Sequence, residues 1–330
     1  MTALAWWSVQ GWRSRGKDHV MATKDETGAR LSVIGLGSMG YGMAQSLAKG
    51  GFAVTGFDTR PEVVAKFAAE HGAGAASLSE AAATADILVI VVVNADQTQQ
   101  VLLGEGGLLA SARPGAVIVS CATMAPERAR ALAEAVEATG RHYVDAPISG
   151  GAARAAEGAL TMLVSGRPEA IAKARAALDA MSAKLYLLGD EPGIGASFKI
   201  VNQLLAGVHI AAASEAIVFA KRLGLDIAKV YEVITASAGN SWMFENRMPH
   251  VLDGDYSPRS AVEIFTKDLG IIADISRSEK FATPIASSAL QMFLMTAAAG
   301  MGKDDDASVA RLYAMIAGLD LPGAPAPEKD

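Results

Sequence analysis

Three groups of residues in this chain have types and spacings that chemistry could use. The first is Gly35-Leu36-Gly37-Ser38-Met39-Gly40, a Gly-x-Gly-x-x-Gly run between the apolar segment Leu31–Ile34 and a helical segment beginning near Met39. In a strand, turn, helix setting, Gly35 permits the tight turn and Gly37 lets the backbone approach a pyrophosphate. Gly40 lets helix and strand pack closely, with the helix N-terminus toward the phosphates. Asp58 ends the next apolar segment, 18 residues after Gly40. An acidic side chain there accepts hydrogen bonds from an adenosine ribose and repels a 2′-phosphate, which favours NAD over NADP; Arg60, two residues on, opposes that preference. The second group is Ser149-Gly150-Gly151, where small residues can present backbone N–H groups and a hydroxyl to a carboxylate, or form only a tight turn. The third is Lys199, Asn202 and Gln203, at i, i+3 and i+4 of one helix and so able to face one cleft. A lysine on an otherwise apolar helix is also read as a snorkelling surface residue.

Single residues join these groups. Asn94 closes the apolar run Asp86–Val93, where a parallel sheet presents ligand groups. Thr123 lies just past Ala116–Cys121, placed either toward a ligand or as a cap for the helix that Pro126 opens. The five histidines are scattered with no pair at ligand spacing, so no metal site is expected. Asp304-Asp305-Asp306 reads as a solvated loop leading into a helix.

The elements that must position these residues follow from the alternation of apolar runs. Strands are expected at Leu31–Ile34, Ala53–Phe57, Asp86–Val93, Ala116–Cys121, Tyr143–Asp145, Leu160–Val164 and Leu185–Leu188, separated by Ala-rich helical segments. Strand and helix in repetition imply an α/β fold, a Rossmann-type doubly wound parallel sheet with helices on both faces. The turn cluster Gly189-Asp190-Glu191-Pro192-Gly193 ends that pattern. Beyond it come a long apolar helix to about Leu223, then Asp226–Ala236, Ser241–Leu252, Ala261–Lys280, Pro284–Ala299 and Asp306–Ala317, an all-α C-terminal domain. The expected division is an N-terminal extension at 1–29, a dinucleotide-binding domain at 30–192, a helical domain at 193–320 and a frayed tail at 321–330. Residues 1–29 hold three of the four tryptophans and follow their apolar part with Arg13, Arg15 and Lys17, the reverse of a secretory signal. They read as a poorly ordered extension, with Met21 as an alternative start.

Bulk properties exclude several functions. The 330 residues are 51% hydrophobic with a net charge of −6, which gives no basic surface for nucleic acid. The lone cysteine, Cys121, cannot form an intrachain disulfide, and its apolar run makes it a buried strand residue; a reducing, cytoplasmic setting follows. Ile87–Val93 is too short to span a membrane, and Leu204–Ala220 is interrupted by His209, Ser214 and Glu215, so no membrane association is expected. The long apolar helices after Gly195 carry more apolar surface than a small helical domain buries, which points to a homodimer or homotetramer.

Four separated motifs in matching order resemble the 3-hydroxyisobutyrate dehydrogenase, or β-hydroxyacid dehydrogenase, family over roughly residues 30–320. They are the glycine turn, Asp145-Ala146-Pro147-Ile148-Ser149-Gly150-Gly151, Gly193 to Asn202, and Lys267-Asp268-Leu269. The resemblance implies an NAD-dependent oxidation of a small hydroxy acid, with Lys199 as general acid and base and Asn202 orienting the substrate. It implies that Thr123, Ser149, Gly150 and Gly151 bind substrate, and that Thr123, Asn94 and Lys267 reach the cofactor. Such a role for Lys199 requires a pKa lowered toward working pH by burial and the positive nicotinamide. Two softer segments, Val91 to Thr98 and Gly239 to Arg247, resemble the L-threonate branch, which implies oxidation at C2 to 2-dehydro-L-erythronate with Ser241 and Trp242 shaping the polyol end. A 3-hydroxyisobutyrate dehydrogenase or tartronate semialdehyde reductase is the alternative within the family. A 6-phosphogluconate dehydrogenase fits less well, because the C-terminal half is short and lacks a basic phosphate cluster. A non-catalytic dinucleotide-binding protein is the remote alternative, disfavoured by the presence of Lys199.

Overall fold

The computed structural model describes residues 28–324. The expected N-terminal extension lies outside the described residues as far as residue 27, and so do residues 325–330 of the expected tail.

The first half alternates strands and helices. It opens with β1 (Arg30–Ile34), α1 (Ser38–Lys49), β2 (Ala53–Phe57), α2 (Pro61–Glu70), β3 (Ala73–Gly74) and α3 (Leu78–Ala83). Next come β4 (Ile87–Ile90), α4 (Ala95–Leu103), α5 (Leu108–Ser111), β5 (Val117–Ser120) and α6 (Pro126–Glu137). It closes with β6 (His142–Asp145), β7 (Ile148–Ser149), α7 (Gly151–Ala156), β8 (Leu160–Ser165), α8 (Pro168–Met181) and β9 (Ser182–Gly189). The central strands read as continuous apolar runs because both of their faces are covered. Successive side chains feed opposite layers. Leu31, Val33, Val89 and Val119 pack with Met43 and Leu47 of α1 and Leu178 of α8. Ile34, Leu88, Ile90, Ile118 and Tyr143 pack on the other side with Leu108 of α5 and Leu132 of α6.

The order β3-β2-β1-β4-β5-β6 is parallel throughout. Past β6 the expectation of a parallel sheet needs correcting: β8 runs antiparallel to both β6 and β7, and β9 returns parallel to β8. Ten residues separate Ser149 from Leu160, including the one short helix α7, too few for the crossover that a parallel neighbour needs. Strand β4 also stops at Ile90, three residues short of the expected Val93, and frees Val91–Asn94 as a loop at the carboxyl edge.

From Ile194 the chain is helical, with α9 (Ile194–Arg222), α10 (Ile227–Thr235), α11 (Trp242–Asp253), α12 (Val262–Ser278) and α13 (Pro284–Thr296). A π-helical turn at Ala297–Met301, a 3-10 turn at Asp306–Ser308 and α14 (Val309–Ala317) complete it. With 29 residues α9 is about 43 Å long and forms the axis on which α11, α12, α13 and α14 pack. By length and composition α9 and the stretch 284–301 could each cross a membrane; here α9 is the core helix of the bundle. One glycine sets the spacing that matters for the site. A Cβ on Gly207 would stand 3.0 Å from both Cδ atoms of Leu269, so its absence lets α12 lie directly against α9.

The acidic run is not a solvated loop. Asp305 and Asp306 are fully buried, Asp306 held by Arg247 at 2.5 and 3.1 Å and Asp305 by His250 Nδ1 at 2.8 Å. Their partners sit one turn apart on α11, more than 50 residues away in sequence, so no local pattern signals the burial. Leu321 is likewise buried, so the first residues of the expected tail pack against the helical bundle.

Candidate active site

Backbone hydrogen bonds run along the carboxyl edge of the parallel strands: Gly35 N–H to Phe57 O, Val91 N–H to Ile34 O, Cys121 N–H to Ile90 O, and Ala146 N–H to Ser120 O, all at 2.8–2.9 Å. This row brings the Gly35 turn, Asp58, the Val91–Asn94 loop, Thr123 and the segment leading to Ser149 to one edge. In an open α/β sheet that edge is where ligands bind.

The glycine turn fits a dinucleotide. Gly35 has φ of +93°, and a Cβ there would meet Val91 O at 2.3 Å; a Cβ on Gly40 would meet Gly35 O at 1.8 Å. Around Gly37, in contrast, there is open space. Gly37 is also the N-cap of α1 and supplies no side-chain cap, so the first-turn amides face that space with their partial positive charge available to an anion. Ser38 is exposed in the first turn, Leu36 is buried, and Met39 packs on the core beneath.

Asp58 lies where β2 ends. Its Oδ2 accepts from Leu36 N–H at 2.8 Å, and its Oδ1 accepts from the Arg60 backbone N–H at 3.0 Å and from Arg60 Nε at 2.9 Å. Burial pushes this carboxyl up, but the hydrogen bonds from Arg60 and Leu36 outweigh it and hold it below the usual carboxylate range. Arg60 is thus engaged by the carboxylate itself. Asn94 caps α4, its side-chain oxygen accepting from Gln97 N–H at 2.8 Å, which leaves its amide N–H groups for other partners. Thr123 does not cap α6: Ala125 is the N-cap, without a side-chain bond, so the capping alternative is set aside.

The start of α9 is built from the sheet. Its N-cap, Gly193, has no side chain to accept from the first-turn amides. Asp145, 2% exposed at the end of β6, does so instead, its Oδ2 accepting from Gly193 and Ala196 N–H at 2.9 Å, while Ser165 Oγ takes Gly195 N–H at 2.9 Å. Burial pushes the Asp145 carboxyl up to about 6, against the pull of the Ala196 and Gly193 amides and the Ser165 hydroxyl. This anchor fixes the helix that carries Lys199. Asp145 opens the motif that runs to Gly151, but the acid itself was given no role, because its burial and its partners on α9 depend on residues 48 and 51 positions away.

Lys199 is 7% exposed. Burial lowers its amine from the ordinary 10.5 to about 8, with Asp268 pulling it back up and Lys267 pushing it further down. Both neighbours come from α12, in the register that the Gly207–Leu269 contact allows. A connected set of polar contacts links the residues beside it on α9 and α12. Asn202 Nδ2 donates to Gln203 Oε1 at 2.9 Å, Gln203 Nε2 donates to Asp268 Oδ2, Lys267 Nζ pairs with Asp268 Oδ1 at 2.5 Å, and Lys267 Nζ lies 3.5 Å from the Thr123 carbonyl. The structure therefore brings Lys199, Asn202, Lys267 and Thr123 together, with Gln203 and Asp268 as linking residues. A mobile proton, hydrogen-bonding amides and a positive side chain next to a dinucleotide-type edge are the equipment of a hydride-transfer site.

Ser149 is half-buried in β7 and pairs with Thr161, followed by Gly150 and Gly151 with φ of +141° and +81°. Among the described residues no hydrogen bond joins this turn to Lys199. Its link to the helical domain is Arg154, whose guanidinium stands 5.8 Å from the Trp242 ring. Ser241 is the N-cap of α11, accepting from Phe244 N–H, so its hydroxyl is engaged in the cap. Trp242 lines a cavity of about 320 Å³ with Tyr231, Thr235, Glu245 and Asn246.

A sequence profile described as the NAD binding domain of 6-phosphogluconate dehydrogenase matches residues 30–189. One described as the NAD-binding domain of NADP-dependent 3-hydroxyisobutyrate dehydrogenase matches residues 193–313. The L-threonate dehydrogenase of Cupriavidus necator is 49% identical over 293 residues, covering 89% of this chain and 98% of that protein. The 3-hydroxyisobutyrate dehydrogenase of Pseudomonas aeruginosa is 32% identical, covering 86% of this chain and 98% of that protein. A crystal structure described as 3-hydroxyisobutyrate dehydrogenase from Salmonella typhimurium superposes with a TM-score of 0.82 at 45% identity, covering 86% of this chain and 99% of that one.

Proposed function

The chain belongs to the 3-hydroxyisobutyrate dehydrogenase family of NAD-dependent oxidoreductases, and from that premise we propose that it oxidises L-threonate at C2 to 2-dehydro-L-erythronate with Lys199 as general base. The observation that carries the reaction is the Lys199 amine, buried and lowered to about 8, so that it exchanges a proton near working pH. Bound NAD supplies the acceptor for the hydrogen that leaves C2 with its electron pair.

The chain's own residues do the rest. The neutral amine of Lys199 takes the proton of the C2 hydroxyl as the C2–H bond breaks and the C2–O bond becomes a carbonyl. In the opposite direction the ammonium returns that proton. Asn202 hydrogen-bonds the substrate and holds its hydroxyl at Nζ. The Ser149 hydroxyl and the N–H groups of Gly150 and Gly151 receive the substrate carboxylate. Thr123 borders both substrate and cofactor. The Gly35–Gly40 turn holds the pyrophosphate, Asp58 the ribose, and Asn94 and Lys267 the nicotinamide end. Trp242 borders the polyol end of the substrate. The substrate assignment is supported by the identity to L-threonate dehydrogenases over nearly the whole chain.

The assembly we propose is a homodimer or homotetramer in the cytoplasm. Phe198, Val201 and Leu205 of α9, and again Phe219 and the C-cap Leu223, are at least half exposed, and the last two line an apolar groove of about 560 Å³. Light scattering after size exclusion checks it; a monomer at micromolar concentration contradicts it.

Steady-state turnover of L-threonate, 3-hydroxyisobutyrate and L-serine, side by side with NAD+ and NADP+, tests the function. The expected result is the highest kcat/KM for L-threonate with NAD+. Equal or better turnover of 3-hydroxyisobutyrate overturns the substrate assignment.

A further inference from the structure

Asp268 is 1% exposed, and it is the one side chain of the polar chain around Lys199 that, when ionised, can only accept hydrogen bonds. That restriction has a direction. Gln203, itself 7% exposed, must turn its Nε2 toward Asp268, so its Oε1 faces the other way. The oxygen then accepts only from a donor, which obliges Asn202 to point its Nδ2 back at Gln203, as it does at 2.9 Å. What Asn202 has left for a ligand is its carbonyl oxygen together with its second amide proton. A hydroxyl of a polyol acid donates to that oxygen.

We propose that Asp268 is the positioning residue for the reaction: by accepting from Gln203 it sets the orientation of the Asn202 amide, and by pairing with Lys267 it holds that lysine beside the Thr123 carbonyl. The proposal rests on the reading of this cleft as a hydroxy-acid site and extends it to a residue that touches neither substrate nor cofactor. An amide alone is symmetric in outline and flips at little cost; a buried carboxylate at the end of the chain removes the choice. The charged groups gathered here are Lys267 on the same helix and Lys199 on α9, with Gln203 and Asn202 of α9 and the Thr123 carbonyl as polar neighbours. The negative charge also favours the protonated Lys199, so its removal has a sign that a purely structural residue would not produce.

The test uses the full chain with Asp268→Asn and Gln203→Met. Without turnover, exchange of the Gln203 and Asn202 side-chain amide protons is followed by NMR. The wild type is expected to protect them, and Asp268→Asn to release them. With turnover, Asp268→Asn is expected to lower kcat/KM for L-threonate by about 10- to 100-fold, in line with one misdirected buried hydrogen bond. It should also shift the acid limb of the pH profile to lower pH. Gln203→Met is expected to lower kcat/KM with the limb in place. Amides as well protected in Asp268→Asn as in the wild type, or an unchanged kcat/KM and limb, overturn the proposal. A wild type that oxidises none of the hydroxy acids instead overturns the reading of function, and the amide exchange still decides the role of Asp268.

Discussion

Replacing Lys199 by methionine should make the protein more stable and nearly inactive. The amine is held at about 8 against an ordinary 10.5, chiefly because burial disfavours the ammonium. Each unit of that depression corresponds to about 1.36 kcal/mol, so the folded state carries a penalty of about 3 kcal/mol wherever Lys199 is protonated in both states, at pH 7 and below. Between about 8 and 10.5 the unfolded chain keeps a proton that the folded protein has released. Stability therefore rises with pH through that window and the penalty is gone above it. Methionine has similar length and no charge. Lys199→Met is expected to raise the unfolding free energy at pH 7 by up to about 3 kcal/mol, with the gain shrinking toward pH 10.5. Urea unfolding followed by circular dichroism at both pH values measures this. In the same protein, turnover should fall by roughly 10²–10⁴-fold, the contribution of one positioned acid–base group, with NAD affinity retained. In the wild type, oxidation should rise as pH passes through about 8 and the reverse reduction should fall. A variant less stable than the wild type at pH 7, or a gain that does not shrink with pH, refutes the reasoning.

Further outcomes follow from particular contacts. Asp58→Asn removes the carboxylate and frees Arg60, so the ratio of kcat/KM with NADP+ to that with NAD+ should rise; no change would remove Asp58 from the ribose. Gly207→Val puts a branched side chain where Leu269 already stands, and should cost about 1–3 kcal/mol by thermal or urea unfolding while lowering kcat through the displaced α12. Asp145→Ala leaves the Gly193 and Ala196 amides without their acceptor inside the protein, with an expected loss of about 1–3 kcal/mol and a higher KM; wild-type stability would show that α9 needs no anchor from β6.

What the sequence disclosed was what local spacing encodes. The glycine turn, Asp58 and the face shared by Lys199, Asn202 and Gln203 all depend on neighbours within a turn or a strand. The expected helices of the second half lie within a few residues of the observed ones, because each has its own apolar period and flanking turn. Contacts between distant segments were not legible. Gln203 meets Asp268 at a separation of 65 residues, Asp145 caps a helix 48 residues away, and Asp305 and Asp306 find their partners on α11. The two-residue strands β3 and β7 are too short to leave a period, and the reversal of direction after β6 depends on the length of a connection rather than on composition. Thr123 was ambiguous because a threonine three residues before a proline resembles a cap, and only the backbone shows that Ala125 takes that place.

In the proposed reaction the Lys199 cleft removes hydrogen from C2 of L-threonate. Deuterium placed at C2 tests this most directly, with kcat/KM and the product followed under NAD+. A slower reaction with [2-²H]-L-threonate than with [3-²H]-L-threonate, giving 2-dehydro-L-erythronate, is the predicted result. Oxidation that is insensitive to deuterium at C2, or a product carrying its carbonyl at another carbon, would contradict the account.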